Sequence, residues 1–375
     1  MSKKNPMNLK GLSVAELEEF AVSMGEKPFR GRQLFEWIYH KDAAGFDAMT
    51  NMPAAFRRRL ASEARIGSIA LRDRKRSPAD ATTKLLFELD DGKYIESVLI
   101  PPRTAYREEE RLTLCVSTQV GCPLDCVFCA TATMGFRRNL TAGEIVDQVM
   151  TAARIAERKI TNIVYMGMGE PLLNYDEVMK SAEIISTGLK IAAKRITVST
   201  AGWTPGIRRM ADENRRVKLA ISLHTLDERA RTELMPVTGK FPLAELLDAA
   251  EYYYGRTKQR ITFEYILFDG WNDSDADVRR LVALMKRIPG KVNIIPFHSI
   301  AFSLPQGVPA ALRPSPPRRI DAFARKLRAG HVTVFVRSSA GEDINAACGQ
   351  LAVRHAARAE RTAHDAGSLK HVASH

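Results

Sequence analysis

A helical period runs through roughly the first sixty residues. Ser13 precedes VAELEEFAVSMG with Glu16 three positions on, the signature of an N-cap closed by a capping box. PFRGRQLFEWIY, Pro28 to Tyr39, places Phe29, Leu34, Trp37 and Ile38 near one helical face. Pro53 then opens AAFRRRLASEA, a short helix carrying Arg57, Arg58 and Arg59. That arginine run reads either as a solvated face or as a patch turned toward phosphates. From about residue 66 to 101 the period falls to two, and TKLLFELDDGKYIESVLIP sets Asp91-Gly92 between two β-rich runs. This predicts a hairpin with Glu96 in its second strand.

From residue 112 strand and helix signals alternate. Strands are predicted at Leu114–Ser117, Asn162–Met166, Arg195–Thr200, Lys218–Leu223, Ile261–Leu267, Val292–Ile295 and Val332–Arg337. Helices are predicted at Ala142–Ala156, Tyr175–Thr187, Leu243–Tyr254, Ala276–Lys286 and Pro317–Ala329. Repeated βα units imply a parallel sheet with helices outside, either doubly wound or curled into a barrel. The expected division is a helical domain over 1–65, a β-hairpin connector over 66–108, a core over 109–340 and a C-terminal segment over 341–375. That last segment ends in a polar, basic tail expected to fray.

Composition adds one unusual fact. Hydrophobic residues make up 45% of the 375 and charged residues 26%, an ordinary profile, but the net charge is +13. A surplus of that size suits a partner made of phosphates, with a merely solubilising surface as the alternative. MSKKNPMNLKGL lacks the apolar run of a signal peptide, and no stretch is apolar for long enough to span a bilayer, so a cytosolic protein with no membrane partner is expected.

Of five cysteines, Cys115, Cys122, Cys126 and Cys129 crowd into fifteen residues and Cys348 stands apart. In a reducing compartment such crowding points to metal or catalysis rather than to disulfides. GCPLDCVFCA spaces Cys122, Cys126 and Cys129 as C-x3-C-x2-C. Three thiolates on one loop can hold three irons of a 4Fe-4S cluster and leave the fourth open to S-adenosylmethionine, with Phe128 shielding the cluster from water. The rival is a structural zinc site completed by Cys115 or a distant His, although such sites more often pair two C-x2-C knuckles. The position of the loop, directly after the first strand of a βα series, favours iron–sulfur.

This loop resembles that of the radical S-adenosylmethionine superfamily. LCVSTQVGCPLDCVFCATATMGFRRNLTAGEI is similar to the RlmN/Cfr family of RNA adenine methyltransferases, as are YMGMGEPLLNYDEV, RITVSTAG, AISLHTLDERARTELMPV and GEDINAACGQL. The resemblance runs from about Pro28 to Leu351. It implies an α/β fold, a partial (β/α)6 barrel preceded by an N-terminal helical, RNA-binding domain and the hairpin. It also implies that Gly169, Glu170, Ser199, Ser222, Leu223 and His224 bind S-adenosylmethionine. His298 occupies a position where many relatives carry a cofactor-contacting Asn, and either side chain can donate and accept.

Carbon 2 of adenine lies between two ring nitrogens and is no nucleophile, so a methyl group must be parked, activated as a radical and then delivered. The resemblance assigns the parking to Cys348, product release through a transient disulfide to Cys115, and proton acceptance to Glu96. The longer segment PPRTAYREEER separates Glu96 from Cys115 in this chain. The implied substrates are an adenosine of 23S rRNA and the adenosine next to the anticodon of a subset of tRNAs, with a donor such as flavodoxin supplying electrons to a monomeric enzyme. The nearest alternative is the Cfr-like branch acting on carbon 8. Others are a zinc-stabilised, non-catalytic RNA-binding protein and a radical enzyme acting on a small molecule or protein.

Overall fold

The computed structural model describes residues 6–102, 111–156, 158–303, 312–337 and 339–353. The basic tail at residues 356–375, and residues 103–110 of the segment between Glu96 and Cys115, lie outside these residues. Three helices open the chain, α1 (Val14–Ser23), α2 (Phe29–Phe35) and α3 (Ala54–Glu63). Strands β1 (Met7–Asn8) and β2 (Ala64–Arg65) pair in parallel and tie the ends of this region together. The capping box forms as expected: Ser13 Oγ accepts from the Glu16 N–H while the Glu16 carboxylate accepts from the Ser13 N–H.

Beyond Phe35 the second helix widens into a π-turn over Glu36–His40. The buried face runs through Gly31, Leu34, Phe35, Ile38 and Tyr39 at ordinary helical spacing, and Phe29 lies off that stripe, exposed with the Arg30 guanidinium over its ring. The arginine run is partly structural. Arg57 donates to the Asp47 carbonyl and Arg59 to the Met24 carbonyl, while Arg58 is exposed with no such bond among the described residues. A buried pair, Lys10 Nζ to Asp147 Oδ1 at 2.7 Å, docks this region on the first barrel helix.

The main sheet has ten strands. Three antiparallel strands come first, β3 (Ala70–Arg76), β4 (Thr83–Glu88) and β5 (Tyr94–Ile100), followed by β6 (Thr113–Cys115). A short antiparallel ribbon, β7 (Gln119–Val120) with β8 (Arg138–Asn139), stands outside the sheet. The sheet continues with β9 (Asn162–Tyr165), β10 (Ile196–Thr200), β11 (Lys218–Ser222), β12 (Ile261–Leu267), β13 (Gly290–Pro296) and β14 (Val334–Val336). The spatial order is β14-β13-β12-β11-β10-β9-β6-β5-β4-β3, with every pair from β6 to β14 parallel.

Helices follow the first six parallel strands in turn: α4 (Ala142–Ala156), α5 (Tyr175–Thr187), α6 (Thr204–Asp212), α7 (Glu228–Leu234) with α8 (Leu243–Thr257), α9 (Asp275–Arg287) and α10 (Pro317–Ala329). Six βα units and a closing strand make the partial (β/α)6 barrel. The hairpin is not detached from it, because β5 pairs with β6 and carries the sheet outward through β4 to β3. Helices α6 and α7 lie outside the helices expected from the sequence; in α6, Pro205 stands in the first turn, where Pro loses no hydrogen bond, and Ile207 and Met210 are buried.

The edges β14 and β3 are bridged by the segment after β14. Asp343 accepts from the Ser77 hydroxyl, and the Gly341 N–H donates to Asp80 in the β3–β4 turn. This places residues 341–353 across the open side of the barrel.

Candidate active site

The ribbon β7–β8 frames the loop that carries the three clustered cysteines. Cys122, Cys126 and Cys129 line one cavity together with the carboxyl ends of the neighbouring strands. Burial pushes Cys122 up to about 12, and burial raises Cys126 and Cys129 as well. Thiols so placed ionise when a positive metal centre takes them. Among the described residues no three His, Cys, Asp or Glu side chains converge to hold one metal ion. The loop sets three thiols around one cavity, the donor type that iron–sulfur clusters take. Phe128 is buried behind the loop, its ring edge-on to His224 with centroids 4.9 Å apart.

The facing wall is built from the carboxyl ends of adjacent strands. Gly169, at φ +99, passes so close to Gln119 that a Cβ there would lie 2.5 Å from the Gln119 Cβ. Glu170 is buried, and its two oxygens accept from the Leu172 N–H at 3.0 Å and the Ala201 N–H at 2.8 Å. Burial nevertheless holds its carboxyl up to about 7, against these two bonds. Ser199 and Ser222 line the same cavity from β10 and β11. His224, at φ 59, accepts from the Ile266 N–H through Nδ1 at 3.1 Å. Burial, helped by Arg231, lowers it to about 3 and keeps it neutral.

Leu223 is not on this wall. Its side chain is in the core and its N–H donates to the Glu264 carbonyl. Arg231, which sequence reasoning did not single out, is fully buried and donates to the carbonyls of Ala201, Ser222 and Leu223. It thereby fixes the loops after β10 and β11 against each other. Its only sequence signal is its place inside the TLDERARTELMP block.

Cys348 lies on the wall shared by this cavity and a second one, also lined by Cys115, His298 and Arg337. Its surface is open, but onto these cavities, and the surrounding protein pushes its thiol up to about 11 while Arg337 pulls the other way. Cys115, opposite Val98 in the β5–β6 pairing, is buried and raised to about 12 by that burial, with Cys348 adding to the effect. His298 thus stands with the two thiols, not among the residues lining the first cavity. Its Nδ1 is 3.1 Å from a Glu342 carboxylate oxygen, without the alignment of a hydrogen bond.

Glu96 shares its β5 face with Val98 and Ile100, which line the second cavity. Its carboxylate pairs with Lys84 at 3.1 Å and accepts from the Ala352 N–H at 3.1 Å, so it also pins the Cys348 segment. Burial raises its carboxyl above the usual range, opposed by Lys84.

Two sequence families cover most of this architecture. Residues 7–66 match the ribosomal RNA large subunit methyltransferase N-terminal domain, and residues 116–282 match the radical SAM superfamily. The dual-specificity RNA methyltransferase RlmN of Geobacter sulfurreducens is 43% identical over 347 residues, covering 92% of each chain. The chain belongs to the RlmN family. The probable RlmN of Heliobacterium modesticaldum is 42% identical over 367 residues, covering 96% of this chain and 92% of that one. A crystal structure of a radical SAM methyltransferase from Sphaerobacter thermophilus superposes with a TM-score of 0.82 at 44% identity, covering 92% of this chain and 99% of the other.

As an RlmN-family radical SAM enzyme, the protein uses a 4Fe-4S cluster and S-adenosylmethionine, which sets the zinc alternative aside. Among the described residues no helix is long and apolar enough to cross a membrane.

Proposed function

We propose that the protein methylates carbon 2 of an adenosine in 23S rRNA and of the adenosine next to the anticodon in a subset of tRNAs. The observation that carries this reading is the meeting of Cys115 and Cys348 on one cavity whose wall is shared with the cysteine-lined one. Cys122, Cys126 and Cys129 hold the cluster. Gly169, Glu170, Ser199, Ser222 and His224 hold S-adenosylmethionine, with His298 approaching it from the thiol side. The bound cofactors supply a methyl group, a radical that takes one hydrogen atom from that methyl, and a sink for the electron the adduct later gives up.

The protein's own groups do the rest. Cys348, as thiolate, accepts the methyl group and presents it to the base. Once its methylene carbon has bonded to carbon 2, Cys115 removes the proton there, and Glu96 serves as the proton acceptor behind it. The Cys115 sulfur then attacks the Cys348 sulfur. The carbon–sulfur bond breaks with its electron pair going to the methylene carbon, which takes a proton from water to become methyl. A Cys115–Cys348 disulfide remains, and a thiol reductant reopens it. A low-potential donor such as flavodoxin, a monomeric enzyme and a cytosolic location complete the reading.

Nucleoside analysis tests it directly. Anaerobically reconstituted protein, given unmodified 23S rRNA, S-adenosylmethionine and a reductant, should produce 2-methyladenosine. Production of 8-methyladenosine would move the activity to the Cfr-like branch, and cofactor cleavage without RNA methylation would exclude 23S rRNA as the substrate.

Glu170 gives a second expectation. Gln in its place keeps one acceptor but turns an amide N–H2 toward a backbone N–H, at a cost of about 1–3 kcal/mol for the unpaired group. Glu170→Gln should weaken S-adenosylmethionine binding by roughly 10- to 100-fold in equilibrium dialysis while iron content stays full. Unchanged affinity would remove Glu170 from the cofactor site.

A further inference from the structure

Glu264 on β12 and Arg337 just past β14 form an ion pair at 3.6 Å that the thiol and cofactor chemistry does not use. Asn293 Nδ2 donates to Glu264 Oε1 at 2.9 Å, and the buried Oε2, the oxygen that faces Arg337 in the ion pair, has no hydrogen-bond partner among the described residues. Glu264 is only 3% exposed. A buried acceptor left open in this way calls for a group that arrives from outside. Arg337 Nη1 approaches the weakly accepting Met166 sulfur at 3.7 Å, so its guanidinium also keeps donors to spare.

The pair sits where a substrate must be read. Glu264 lines the first cavity, Arg337 lines the second, and Cys348, on whose thiol both charges act, lies on the wall between. An acceptor and a donor side by side match the Watson–Crick edge of adenine, which offers a 6-amino donor beside the N1 acceptor. Carbon 2 is bonded to N1 on that same edge.

We propose that Glu264 and Arg337 read the target adenine, Glu264 Oε2 accepting from the 6-amino group and Arg337 donating to N1, with carbon 2 thereby set against Cys348. Guanine would meet the same pair with a carbonyl against the carboxylate and an N–H against the guanidinium. A donor on N1 also draws electron density from the ring and eases radical addition at carbon 2. The assignment rests on the reading of the protein as an RNA adenine methyltransferase.

The test uses cluster-loaded enzyme and an RNA hairpin whose target adenosine is kept or replaced by purine riboside, which lacks only the amino group. The wild type should methylate the purine hairpin with kcat/KM lower by roughly 10- to 100-fold, because the analogue leaves the buried carboxylate oxygen without its donor. Glu264→Ala should act on both hairpins at the same low rate, and Glu264→Gln, which keeps an acceptor oxygen, should fall between. Each variant is compared only after mass spectrometry shows a methyl group on its Cys348 peptide. Equal wild-type rates on the two hairpins overturn the proposal, a result that does not depend on any variant folding. Undiminished discrimination in Glu264→Ala also overturns it. A wild type that leaves the adenosine hairpin unmethylated sinks the methyltransferase reading itself.

Discussion

Replacing Cys115 with Ala should halt turnover after the carbon–carbon bond has formed and leave RNA covalently attached to Cys348. Cys115 is on β6, buried against the hairpin strand β5, and shares a cavity with Cys348. Nothing upstream of adduct formation needs it, because methyl transfer to Cys348 and radical generation both draw on the other cavity. In the proposed mechanism it provides the base that takes the carbon-2 proton and the sulfur that displaces the product. The expected result is a protein–RNA band on a denaturing gel in yield close to that of one turnover, with free methylated RNA reduced by at least about 100-fold, an effect on the order of 3 kcal/mol in barrier. Release of free product at the wild-type rate would remove Cys115 from the mechanism. Release of unmodified RNA alone would place it before the adduct.

The second large effect is expected at Gly121, one residue before the first clustered cysteine. Its φ is +75, and a Cβ there would lie 1.6 Å from the Gly135 carbonyl oxygen, which is rigid backbone at the far end of the cysteine loop. Ala cannot be accommodated by a rotamer change, so the loop must open. Overpacking of this kind costs about 1–3 kcal/mol or more, with a further ~1–3 kcal/mol for the left-handed backbone. The strain falls on the ribbon β7–β8 rather than on the main sheet. Gly121→Ala should therefore retain most of its circular dichroism while holding less than about a tenth of the wild-type iron. Full iron loading would mean that the loop closes in some other way.

Local signals carried much of the architecture. The capping box at Ser13, the Asp91-Gly92 hairpin and the βα alternation each depend on residues within a few positions of one another, and each is found in the structure. The cysteine loop was legible for the same reason. What could not be read is what distant segments do together. Phe29 was grouped with Leu34, Trp37 and Ile38, yet the buried stripe is Gly31, Leu34, Phe35, Ile38 and Tyr39, set by what the helix packs against. Leu223 and His224 are neighbours in sequence, but the left-handed His224 turns one toward the cavity and leaves the other in the core. Arg231, Glu264 and Arg337 look like any charged residues in a basic chain. Only burial and shared partners separate them from the solvated majority.

The bonds that hold the Cys348 segment also fix when it can form. Asp343 meets Ser77, Asn345 meets Lys84 and Ala352 meets Glu96, contacts that join residues 256 to 266 positions apart in the chain. Contacts of such long range return their stabilisation only after the intervening chain has been ordered. A growing polypeptide can lay down the helical domain, the hairpin and most βα units before the methyl-carrying thiol has been synthesised. Catalytic competence is then a late event of folding. A newly made chain would pass through a stage with the barrel largely built and its reactive cysteine not yet in place, so it could not attack RNA while still being made.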